Sequence, residues 1–235
     1  DCKITGSELM FCVGTDWNPK QAELKKIITK PDEIENTKKL LHELHSIVHS
    51  SEVYENSNSY YDEIIWNINQ NNFSVMPISK SVTVAWNLWH ITRIEDITTS
   101  IFILDKPQTF NSEWKKELNS SISDTGNAMT YDEIKEFSER LELKALLEYR
   151  NSVGKRTKEL ISQISTKDMK RKFTQSQIDR CLLEGCVTNQ EDSIWLKDFW
   201  GKKTVAGIFL MPVTRHQIVH LNDCKKLIEK IIHRV

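Results

Sequence analysis

Residues 215–224 read RHQIVHLNDC, which places His216 and His220 four positions apart. On a helix, side chains at i and i+4 rise about 6 Å along the axis and differ by about 40° in direction, so two imidazoles can address one point. Neutral imidazole is a ligand for Zn²⁺, Ni²⁺ or Fe²⁺. In the stripe Val213, His216, His220, Cys224, Leu227, Ile231 the histidines continue an apolar face and are turned inward. His90 holds the equivalent place in line with Trp86, Ile94, Ile97 and Ile101. Three inward imidazoles from two helices can share one ion and leave coordination positions open to water or substrate. The competing account makes each of them a core histidine bonded to a backbone carbonyl. His42, His45 and His49 also fall at helical spacings, with His45 and His49 repeating H-x-x-x-H, and spacing does not choose between the two sets.

Other groups near these histidines have two readings each. Glu95, five residues on, points roughly 140° away from His90 on the same helix, and it and Asp96 are expected to pair with Arg93 or to reach another helix. His49 is a candidate to hydrogen-bond a ligand or to act as general base, since its helix should pack beside the site. Cys224 lies one turn beyond His220 and could coordinate. Arg215 could steer an anion or lie on a solvated flank. Trp86 and Trp89 fit the core better than a pocket. With free imidazole titrating near pH 6.5, a histidine site should lose its ion in mildly acidic solution.

The elements that must position these residues are helices. Seven glycines and five prolines are few for 235 residues, and the stretches between them carry helical spacing. Pro31, Asp32 and Glu33 open a first long helix through ENTKKLLHELHSIVH, and YYDEIIWNINQ follows as a shorter one. Residues 81–104 are apolar on nearly all sides, as a central bundle helix is, although the β-branched end also allows a strand. After the loop NSSISDTGNAM, where Asp124 and Gly126 mark a turn, Thr130 with Glu133 predicts a capping box. LELKALLEYRNSVGKRTKELISQIS is the next long helix. Thr188 with Glu191 predicts a second capping box, and MPVTRHQIVHLNDCKKLIEKIIHRV is the last helix, with Pro212 in its first turn. The fold class is all-α, a four-helix bundle with short accessory helices over residues 31–235, preceded by an extension over residues 1–30.

Composition narrows the partners. A formal charge of −1, with 32 basic and 33 acidic residues scattered along the chain, excludes a concentrated nucleic-acid surface. Nowhere do about eighteen apolar residues run together, so no membrane partner is expected. Five cysteines without framework spacing favour a reduced, cytoplasmic setting. Cys181 and Cys186, five apart on a helix, should point away from each other.

The stretches SVTVAWNLWHITRIED and MPVTRHQIVHLND together resemble the DinB-like, or YfiT-like, four-helix-bundle metalloenzyme superfamily, over about residues 33–233. The family pattern is one histidine on the second helix and H-x-x-x-H on the last. The resemblance implies His90, His216 and His220 as metal ligands, with zinc, nickel or iron as the ion. Members include thiol-dependent transferases and isomerases that use bacillithiol or mycothiol, so the resemblance implies a small-molecule substrate and a low-molecular-weight thiol as co-substrate; a homodimer is allowed. The alternative is a metal- or ligand-binding stress-response protein without turnover.

Overall fold

The computed structural model describes residues 11–55 and 59–232. Residues 1–10 of the expected extension and residues 233–235, the end of the stretch expected as the last helix, lie outside the described residues. Thirteen α-helices follow in order: α1 (Asn18–Ile27), α2 (Ile34–Val48), α3 (Ser51–Tyr54), α4 (Tyr60–Ile65), α5 (Val84–Ile97), α6 (Ser112–Glu117), α7 (Tyr131–Arg140), α8 (Leu143–Gln163), α9 (Thr166–Met169), α10 (Gln175–Leu183), α11 (Glu191–Gly201), α12 (Val205–Leu210) and α13 (His216–Ile232). No strand occurs among the described residues; one isolated bridge joins Lys172 to Thr204.

The bundle is built from α2, α5, α8 and α13. Helix α5 packs against α8 and α13, and α2 packs against the same two, so α2 and α5 occupy opposite corners. Every residue from Thr83 to Ile103 is buried, as its lack of a polar face requires. The β-branched end of this stretch is helical, not extended: Thr98–Ile103 forms a wider π turn. The hydroxyls of Thr98 and Thr99 bond back to the carbonyls of Ile94 and Glu95 at 2.7 Å, an alternative to the regular ladder that bends helices.

In the segment ahead of residue 31, α1 lies against α2 and buries Leu24 in the common core, together with Trp17 just before it and Ile28 just after it. Gln21 reaches from α1 to the Leu210 carbonyl and the Thr214 hydroxyl, at 3.0 and 3.2 Å.

The Thr130–Glu133 capping box forms as the sequence predicts. The one expected at Thr188 does not: Gln190 is the N-cap of α11, and the Thr188 amide donates instead to Ser193 Oγ at 2.9 Å. The last helix begins earlier than Met211, because α12 runs into α13 through a π turn over Met211–Arg215, which puts Pro212 inside the run. Cys181 and Cys186 also depart from expectation. Helix α10 stops at Leu183, Gly185 takes a left-handed φ of 70°, and the Cys186 amide donates back to the Cys181 carbonyl at 2.8 Å. The reversal makes the two buried thiols neighbours, and hydrogen bonding with Cys186 together with burial raises the Cys181 pKa. Cys181, Cys186 and Cys224 are free thiols, whereas Cys12 is disulfide-bonded, so the expectation of a fully reduced set does not extend to that position. No described helix is long and apolar enough to cross a membrane.

Candidate metal centre

His90 on α5 and His216 and His220 on α13 converge. One ring nitrogen from each can be chosen so that all three lie within 4.8 Å of one another, and the ring centroids are 5.1, 4.9 and 4.5 Å apart. The i, i+4 pair arises from α13 itself. Its start is set by the π turn, which side chains brace: Thr214 Oγ1 donates to the Phe209 carbonyl of α12, and Gln217 Nε2 donates to the carbonyls of Pro212 in the turn and of Ile91 on α5. Turns of this kind recur at functional positions in helices.

Two of the three rings are held by partners that leave one nitrogen available. His90 Nδ1 lies 2.9 Å from the Thr125 carbonyl, which can only accept, so Nδ1 carries the proton and a neutral ring keeps its lone pair on Nε2. His220 Nδ1 lies 2.6 Å from Asn87 Oδ1. Asn87 donates its own amide to the Thr83 carbonyl at 2.9 Å, which fixes Oδ1 as the acceptor and gives His220 the same tautomer. Partners of this type orient metal-binding imidazoles and strengthen their basicity. His216 differs: its Nδ1 is buried and meets no hydrogen-bond partner. Such an atom is costly unless something takes up its bonding capacity.

The rings are neutral. Burial, then the proximity of His220, lowers His90 to about 3 despite its bond to Thr125. Burial lowers His220 to about 4. Burial, with His90 and His220 nearby, holds His216 well below the usual imidazole range. Three unprotonated imidazoles, two of them pre-oriented and one with an orphaned buried nitrogen, fit a divalent ion of the zinc, nickel or iron type. Among the described residues no carboxylate or cysteine joins them: Cys224 is buried but lies outside the group.

The wall behind His90 is a loop that α5 reads with its side chains. Arg93 Nε, Trp89 Nε1, His90 Nδ1 and Trp86 Nε1 donate in turn to the carbonyls of Ser123, Asp124, Thr125 and Gly126, at 3.0, 3.0, 2.9 and 3.1 Å. The loop closes on itself through the Gly126 amide and Asp124 Oδ1, the turn expected from the sequence. Gly126 has φ +72°, and a Cβ there would stand 2.8 Å from Trp86 Nε1. Trp86 stacks on His90 with centroids 4.6 Å apart and planes 11° from parallel. Trp89 is fully buried, as the core reading had it.

Glu95 and Asp96 both find the partners anticipated for them. Asp96 pairs with Arg93 at 3.2 Å and also accepts from Tyr149, Ser100 and the amides of Thr109 and Phe110. Glu95 crosses the bundle to α2, where Oε1 and Oε2 each lie 2.8 Å from the Nε2 of His45 and of His49. His49, the candidate base, is therefore placed with Glu95 and His45 rather than among the triad. Burial, before any other cause, lowers it to about 3, which makes it a weak base. Asn87 and the Thr125 carbonyl were not singled out from the sequence. Asn87 sits three residues before His90, and that spacing on a buried helix was the available signal.

With this geometry in view, comparison with known proteins is informative. The DinB superfamily profile matches residues 54–224, a span that holds His90, His216 and His220. The chain belongs to the DinB superfamily. A search of curated proteins finds no match.

Proposed function

We propose that His90, His216 and His220 hold one divalent metal ion and that the protein is a metal-dependent enzyme acting on a small molecule, with thiol-dependent S-transfer to an electrophile as the reaction. The single observation that supports this most is the contrast in ring anchoring: Asn87 and Thr125 fix the tautomers of His220 and His90, while His216 Nδ1 is buried with no partner within the protein. A bound ion supplies Lewis acidity toward the thiol or water that fills its remaining positions.

The chain's own residues do the rest. Trp86 forms a flat wall against His90 and excludes water from that side. The loop carbonyls of residues 123–126 hold α5 in place. Arg215 is exposed one residue before His216, where its charge can draw an anionic thiol cosubstrate toward the centre. The charge balance of the whole chain is consistent with a small-molecule partner rather than a nucleic acid.

The test is thiol consumption by the metal-loaded protein with a panel of electrophiles, paired with cobalt substitution. Saturable, metal-dependent loss of thiol, and a sulfur-to-cobalt charge-transfer band absent from His216→Ala, are expected. A cobalt protein that binds its ion but shows no spectral change with any thiol, bacillithiol included, overturns S-transfer and leaves a water-activating or non-catalytic metal protein.

A further inference from the structure

Glu95 is an unusual carboxylate. It is fully buried, on the helix that runs through the bundle, and among the described residues its ion pairs are to two imidazoles, while the buried Arg150 guanidinium acts on it from beyond ion-pair distance. Its neighbour Asp96 shows the ordinary solution, an arginine together with four further donors. Glu95 has two imidazoles, one per oxygen, and both rings are as fully buried as it is.

The surroundings fix these donors in place. Helix α2 ends at Val48, and His49 takes an extended conformation (φ −119°, ψ 163°). That turn lets its ring lie 4.1 Å, centroid to centroid, from the ring of His45. Tyr54 OH is 2.7 Å from His45 Nδ1, so the far side of that ring is anchored as Asn87 anchors His220. His49 Nδ1 is buried without a partner, on the side of the ring away from Glu95. Helix α8 makes room for the ring with Gly154, where a Cβ would stand 2.5 Å from His49 Nδ1.

We propose that His45, His49 and Glu95 form a second, structural metal site for a divalent ion of the zinc class, distinct from the triad. The donor atoms are the two Nε2 and the two carboxylate oxygens of Glu95, giving the four that a closed zinc site uses. Donors about 2.1 Å from one ion at tetrahedral angles stand about 3.4 Å apart, so an ion entering here replaces the protons of the two hydrogen bonds and widens their 2.8 Å separations. Complete burial leaves no open position, so this ion ties α2 to α5 across the bundle and does no chemistry. Its two histidines, on α2 and at its C-terminal end, lie ahead of the span matched by the DinB profile, while Glu95 lies within it.

Zinc counting on the full chain after reconstitution and desalting tests the proposal separately from the triad. The intact protein should hold about two ions, and Glu95→Gln, which keeps the size and one acceptor, about one. His216→Ala should also hold about one, lost from the other site. Anomalous diffraction at the zinc edge on the unaltered protein provides a reading that does not depend on a variant folding, and should show density between His45, His49 and Glu95. An intact protein with one ion that Glu95→Gln keeps and His216→Ala loses overturns the second site and makes the cluster a hydrogen-bonded one only. An ion kept by His216→Ala and lost by Glu95→Gln would uphold this site and overturn the triad.

Discussion

Asn87 and His220 are 133 residues apart in sequence and 2.6 Å apart through Oδ1 and Nδ1. One turn of α5 thus supplies His90 to the triad and, three residues earlier, the acceptor that orients a histidine of α13. The second amide hydrogen bond of Asn87, to Thr83, prevents the side chain from presenting its nitrogen instead.

Removing that acceptor should weaken the ion without unfolding the bundle. Asn87→Ala is expected to lower metal affinity by about 10- to 100-fold, the usual cost of losing a partner that orients a ligand. Asn87→Asp, which keeps an oxygen at the same place, should retain most of it. Chelator competition measures both, and equal affinity in the alanine variant and the parent would contradict this role.

Acid should act on the metal-free protein before it acts on metal binding. Unfolded imidazole titrates near 6.5, whereas His90 and His49 are lowered to about 3 and His220 to about 4 in the fold. A folded pKa below the unfolded one means stability that is complete above the unfolded value and lost as pH falls toward the folded value. The metal-free protein should therefore unfold at progressively lower urea between about pH 6.5 and pH 4. Within the fold the ligands stay unprotonated through that range, so metal affinity should hold down to about pH 5, lower than free imidazole implies. A urea midpoint that does not move over this window would contradict the buried neutral rings.

Gly126 is required by its backbone and by its neighbour. With φ at +72° and Trp86 Nε1 where a Cβ would go, Gly126→Ala should cost at least about 1 kcal/mol in denaturant unfolding. It should also weaken metal binding, because Thr125, the preceding residue, holds His90. A variant as stable as the parent would show that the loop accommodates the methyl by moving away from α5.

Cys224 is buried one turn from His220 but outside the ligand group. Cys224→Ser should leave the ion count unchanged, as elemental analysis would show. Loss of an ion would place that thiol in the coordination sphere.

What the sequence discloses follows the range of the forces involved. The Thr130–Glu133 box is local and reads correctly. The like-looking Thr188 signal fails because Ser193, two residues beyond its intended partner, takes the Thr188 amide. The 100° step of a helix separates Glu95 from His90 and brings His216 to His220, but it does not say that Glu95 meets His45 and His49 across the bundle. The Cys181–Cys186 contact is not legible in spacing alone, because a helix continuing through Gly185 would turn the two thiols apart, whereas α10 ends at Leu183. The clasp of α5 on carbonyls 123–126 was likewise hidden, since backbone acceptors leave no mark in residue type. The family pattern of histidines, rather than spacing, separated the triad from the second set, and both sets are assembled in the structure.

The most direct test of the triad is the ion count of His220→Ala against the parent, prepared and reconstituted in parallel, with circular dichroism to establish that both are folded. Removing one of three neutral ligands leaves too few to hold the ion against water, so the variant should carry one ion fewer per chain, whatever the second site holds. A folded His220→Ala protein with the same metal content as the parent would contradict the assignment of His90, His216 and His220 as the metal centre.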